Sequence, residues 1–193
     1  MGKFSDVLLT VDYDRTLTAP DSSIPERNLE AIRYFMENDG AFTVNTGRSV
    51  PMIQAFRDRV PVNAPLLLYN GSAAYDLAAG KLLFCHEIRL DLWQTVRECM
   101  TLFPDLTVEV QGLDAHYRFT ENPAWDAFSD HNQCAHGLAR PGDDLGPFLK
   151  FTLYGEFRDV TVASMFDGTP EEVRRMDEAA AQLKARFGSC CEV

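Results

Sequence analysis

Nowhere does the chain hold an apolar run approaching the ~20 residues that cross a bilayer. Its start, Met1 to Asp6, has neither the apolar core of a secretory leader nor the Ser or Thr a myristoylation signal needs where Asp6 stands. These absences argue against a membrane partner and for a cytoplasmic protein. Basic charge is also scarce: 18 Lys and Arg face 29 Asp and Glu, giving a net charge of −11. Nucleic-acid backbones demand clustered Lys and Arg, so no nucleic-acid partner is expected. A phosphate ligand would need a metal ion or a few focused basic groups to overcome this field. The 5 cysteines (Cys85, Cys99, Cys134, Cys190, Cys191) form no Cys-x-x-Cys pair, and their odd number argues for a reduced protein. Repeats and low-complexity tracts are absent.

What is present suffices for a core: 46% of the 193 residues are hydrophobic, enough for one large domain or two small ones. Val7 to Val11 is a short apolar run of β-formers that reads as a strand buried on both faces, with Asp12 at its carboxyl end. Ser23-Ile24-Pro25-Glu26 reads as a capping box opening a helix that Gly40 ends. A second strand, Ala41 to Val44, leads through Asn45-Thr46-Gly47-Arg48 into a helix opened by Ser49 and Pro51, carrying Ile53, Phe56 and Val60. Leu66 to Tyr69 is a third strand, closed by Asn70-Gly71. This order implies right-handed parallel crossovers, which gather the loops after all three strands at one sheet edge.

Beyond Tyr75 the pattern becomes α+β. Strands are expected over Lys81 to Leu90, Leu106 to Val110, Ala115 to Thr120, Phe148 to Tyr154 and Asp159 to Met165. Helices are expected over Asp91 to Phe103, Pro123 to His131 and Thr169 to Phe187. Gln133 to Gly146, with its Gly, Pro and paired Asp, reads as irregular.

Asp12-Tyr13-Asp14-Arg15-Thr16 sets two carboxylates two residues apart at the end of a buried strand. That arrangement is costly unless they are paired or hold a cation. Magnesium, a hard ion that takes oxygen ligands and substrate phosphates, relieves the cost. Asp12 and Asp14 are therefore candidate metal ligands, with Asp12 also a candidate nucleophile and Asp14 a candidate proton donor. Thr16 is expected to fix the loop by a side-chain to backbone bond. Taken alone, Asp-x-Asp-x-Thr is more often the sequence of an Asx-turn or cap cluster than of a catalytic loop.

With Thr46-Gly47-Arg48 closing the next strand, the sequence resembles the haloacid dehalogenase superfamily, most closely its Cof-type sugar-phosphatase-like branch with a large α/β cap. The resemblance implies a Rossmann-like α/β core, N-terminal part only, over residues 1–78 and an α+β cap over 79–193. It implies a Mg2+-dependent phosphatase acting on a small phosphorylated metabolite such as a sugar phosphate. Asp12 matches the nucleophile that forms an aspartyl phosphate, Asp14 the general acid/base and carbonyl ligand, and Thr46 the phosphate-binding hydroxyl. Gly47, Arg48 and Asn70 complete the implied phosphate-binding set, Asn70-Gly71 resembling that branch's turn before the cap.

Two departures stand out. Arg15 replaces a glycine usual in this branch. The lysine and Gly-Asp-x-x-x-Asp motif that the family carries beyond its cap have no match, and Lys150 and Lys184 read as surface lysines. The resemblance therefore implies an incomplete core, open to self-association or to completion by a second chain. A phosphomutase and a non-catalytic metal- or phosphate-binding module are the competing readings. In the second unit Arg89, His116, Arg118 and Lys150 read as exposed strand residues able to meet a sugar phosphate, while Trp93 and Trp125 read as packing residues.

Overall fold

The computed structural model describes residues 2–55, 57–156 and 168–189. They form two units, Met1–His86 and Glu87–Val193.

In the first unit, β1 (Leu8–Asp12), β2 (Ala41–Asn45) and β3 (Leu66–Leu68) run parallel, and β4 (Ala73–Asp76) and β5 (Lys81–Cys85) extend the sheet antiparallel, in the order β1-β2-β3-β4-β5. β2 is an interior strand: Phe42, Thr43 and Val44 are all buried, as β-formers covered on both faces should be. β1 differs from expectation. It lies at the sheet edge, and Val7, Leu8 and Leu9 are 46%, 62% and 41% exposed. Its sequence suits an interior strand, but among the described residues no strand lies on its outer side.

The parallel register aligns Asp12 with Asn45 and Asn45 with Leu67, so the three strands end together. α1 (Glu26–Glu37) begins without the capping box expected at Ser23, whose hydroxyl and amide both bind Asp21 Oδ1 instead. Asp39 at φ 66° takes the left-handed position after the helix, one residue before Gly40. The helix expected after Ser49 is only a short turn, Pro51–Ala55, and its Phe56 lies outside the described residues. Further on, Asn63 returns the chain to β2: its side chain accepts from the Phe42 amide and donates to the Gly40 carbonyl.

The strand expected over Lys81 to Leu90 ends at Cys85 and pairs with β4, so the units divide at His86/Glu87, later than the 78/79 boundary drawn from sequence. The second unit is a sheet ordered β8-β7-β6-β9, from β6 (Thr107–Gly112), β7 (His116–Arg118), β8 (His136–Leu138) and β9 (Phe148–Tyr154). β8 falls inside the stretch expected to be irregular and pairs parallel with β7. One face carries Val108 and Val110 of β6 and Phe148 of β9, packed with Val96 and Cys99 of α2 (Leu92–Leu102) and Phe187 of α4 (Pro170–Phe187). Asp91 caps α2, Asn122 caps α3 (Pro123–His131), and Thr169 with Glu172 closes a full capping box on α4. The strand expected over Asp159 to Met165 lies outside the described residues. No helix among those described is long and apolar enough to cross a membrane.

Candidate active site

The aligned ends of β1, β2 and β3 bring together the turn 13–17, the loop from Thr46 to Val50 and the turn 69–71. In the first turn Arg15 sits at φ 61°, a left-handed conformation that glycine adopts without strain. This accounts physically for a glycine being usual there. The turn is tied by Thr18, not Thr16: the Thr18 hydroxyl accepts from the Arg15 amide at 3.1 Å and donates to the Tyr13 carbonyl at 3.2 Å. Thr18 is buried and Thr16 exposed.

The two carboxylates have different surroundings. Asp12 is exposed, and no described residue forms an ion pair with it. Asp14 is gripped by Arg48, whose Nε and Nη2 donate to its two oxygens at 3.0 and 2.9 Å. Arg48 is 7% exposed and lies over the Tyr13 ring, 5.0 Å from its centroid. Burial raises the Tyr13 pKa, against the opposing pull of Arg59 and Arg48. A bidentate, partly buried pair of this kind is both stronger and more directional than a surface salt bridge.

Thr46 is buried, and its hydroxyl accepts from the Arg48 amide at 3.2 Å. Its amide donates to the Leu67 carbonyl and its carbonyl accepts from the Asn70 amide, so β3 and the following turn hold this loop from both sides. Asn70 itself is exposed at φ 57°. Asp12, Asp14, Thr46, Gly47, Arg48 and Asn70 thus belong to loops at one edge of one sheet. Arg48, read from sequence with the phosphate-binding residues, lies on Asp14.

Among the described residues no three His, Cys, Asp or Glu side chains gather as a metal cluster. Magnesium does not require one, since it keeps several waters and takes one or two carboxylates with substrate phosphates. The exposed Asp12 carboxylate is a hard oxygen donor of the kind such an ion takes.

In the second unit His116, Arg118 and Lys150 share one sheet face, with His116 and Arg118 buried and Lys150 half-buried; Arg89 is exposed. Arg89 is exposed as expected, whereas His116 and Arg118 are not, because their face is organised around Glu109, which is 0% exposed. Glu109 accepts from Trp125 Nε1 at 2.6 Å, Gln111 Nε2 at 2.6 Å and Tyr154 Oη at 3.2 Å, with His116 Nδ1 3.5 Å away. Burial pushes the Glu109 pKa up, but these contacts outweigh it and hold the carboxyl below its ordinary value. Burial also lowers Lys150 and pushes the Cys134 thiol up to about 12, so that thiol stays protonated. Trp93 packs edge-on against Phe119.

The profile of the haloacid dehalogenase-like hydrolases matches residues 9–144. Among solved structures, a haloacid dehalogenase-like hydrolase from Bacteroides thetaiotaomicron is 16% identical, with a TM-score of 0.70 over 97% of this chain and 66% of that one. One from B. subtilis is 14% identical, with a TM-score of 0.61 over 78% of this chain and 62% of that one. A sugar phosphatase of HAD subclass IIB is 14% identical, with a TM-score of 0.56 over 69% of this chain and 52% of that one. At these identities the likeness is one of fold, and this chain spans less than two thirds of the length of the first two. No curated protein matches the sequence.

Proposed function

Since the chain belongs to the haloacid dehalogenase-like hydrolases, we propose that it is a phosphatase acting on a small phosphorylated metabolite such as a sugar phosphate, with Mg2+ as cofactor and Asp12 as nucleophile. The observation that carries this reading is the unlike treatment of two neighbouring carboxylates: Asp12 exposed and without an ion pair among the described residues, Asp14 held by Arg48.

In the proposed reaction an Asp12 oxygen attacks phosphorus, the bond to the leaving oxygen breaks, and Asp14 donates a proton to that oxygen. Asp14 then takes a proton from water, whose oxygen attacks phosphorus and releases inorganic phosphate from Asp12. Both Asp14 oxygens accept from Arg48, so before the first step one arm of that fork opens and the freed oxygen takes up a proton from solvent, which Asp14 then gives to the leaving oxygen. Thr46, Gly47, Arg48 and Asn70 line the phosphoryl side. Asp12 and the main-chain carbonyl of Asp14 would hold the magnesium ion, whose charge offsets that of the phosphoryl oxygens when bound.

The test is product analysis with a hexose phosphate and an aryl phosphate, in magnesium and in EDTA. Free phosphate released in step with the alcohol, only in magnesium, is expected. An isomerised sugar phosphate without free phosphate would identify a mutase, and binding without turnover would identify a binding module.

A further inference from the structure

Resting on the reading of Asp14 as the proton donor, we propose that Tyr69 is a positioning residue: it sets the Thr46 to Val50 loop and, through Arg48, the carboxylate of Asp14. Tyr69 and Asn70 are consecutive non-glycine residues in the left-handed region, at φ 52° and 57°. For a bulky aromatic that conformation is an outlier, kept only where the surroundings over-determine it.

Four hydrogen bonds accompany it. The Thr46 amide donates to the Leu67 carbonyl at 2.9 Å, the Asn70 amide to the Thr46 carbonyl at 3.1 Å, and the Tyr69 amide to the Arg48 carbonyl at 3.0 Å. The fourth alone depends on a side chain: the Val50 amide donates to the Tyr69 hydroxyl at 3.1 Å. The Tyr69 ring is 2% exposed, and a phenylalanine would fill its place equally well. What the hydroxyl adds is a fixed point two residues beyond Arg48. With Thr46 fixed two residues before it and its own carbonyl held, Arg48 is bracketed. Its guanidinium then meets both oxygens of Asp14.

The experiment compares Tyr69→Phe with Tyr34→Phe, a control on the exposed side of α1, where Tyr34 is 53% exposed. Hydrogen exchange at Arg48 Nε, followed by 15N NMR, reads the fork without any need for turnover. Tyr69→Phe should speed that exchange by about three- to ten-fold, the loss of one neutral hydrogen bond, and leave the amides of the second unit unchanged. Tyr34→Phe should alter neither. In turnover, Tyr69→Phe should lower kcat by a similar factor and shift its pH profile, with KM within about two-fold. A folded Tyr69→Phe protein with unchanged Arg48 exchange overturns the proposal. So does a wild-type Val50 amide that exchanges freely. A faster Arg48 signal in a protein that releases no phosphate supports the positioning role and counts against the proton-donor reading instead.

Discussion

Arg48 spans both carboxylate oxygens of Asp14, at 3.0 and 2.9 Å, across 34 residues of sequence, while Asp12, two residues before Asp14, has no ion pair among the described residues. The site is therefore asymmetric before any ligand arrives. Removing either partner leaves the other charge in a partly buried place, which should cost about 2–4 kcal/mol. Asp14→Ala and Arg48→Ala are each expected to lower the urea midpoint. The double variant should be less destabilised than the sum, by 1 kcal/mol or more on the order-of-magnitude scale for coupled pairs. Strict additivity would mean that the fork contributes nothing to stability.

Arg15 stands at φ 61° with its side chain exposed. Replacing it by glycine removes left-handed strain, which at about 1 kcal/mol is expected to outweigh both a more flexible unfolded chain and the interaction that Arg15 makes. Arg15→Gly should raise the thermal midpoint and change turnover by less than about two-fold. A loss of stability would show that the arginine side chain makes contacts outweighing the strain.

Acid sensitivity of the second unit should centre on Glu109 and Asp126. The Arg118 side chain, hydrogen-bonded to both Asp126 oxygens, holds that carboxyl below its ordinary value, and the contacts to Glu109 do the same against its burial. Groups whose folded pKa is depressed contribute stability above the unfolded value of about 4 and lose it as pH falls through the folded one. Stability measured from pH 6 down to about 2 should fall steeply in the wild type. In Glu109→Gln the starting stability should be lower and the acid slope shallower; an unchanged slope would exclude Glu109 as a source.

Among the described residues no strand pairs with the outer side of β1, where Leu8 is 62% exposed and Val7 and Leu9 add apolar surface. Such an edge promotes strand-to-strand association. By light scattering the average mass should rise with concentration, and Leu8→Lys should suppress the rise. A monomer at all concentrations would argue that this edge is protected.

Much of this was legible from local sequence. Phe42 and Val44 announced an interior strand, Thr169-Pro170-Glu171-Glu172 announced a helix start, and the three parallel strand ends followed from their order. Elsewhere, tertiary partners overruled local pattern. Ser23 and Glu26 have the spacing of a capping box, but Asp21 takes the serine. Residues 136–138 look irregular because so short a strand gains its order from β7. Thr18 could not be preferred to Thr16 without knowing that Arg15 is left-handed, and His116 and Arg118 could not be seen as buried without Glu109 and Asp126 opposite them. The Arg48–Asp14 pair, joining two separate loops, has no local signature at all.

The most direct test of the functional account is the rate of magnesium-dependent phosphate release by wild type and Asp12→Asn, with folding of both checked by circular dichroism. Loss of the nucleophile should reduce release by about 1,000-fold or more, in line with losses seen when a covalent nucleophile is removed. Release by Asp12→Asn at the wild-type rate would contradict the account.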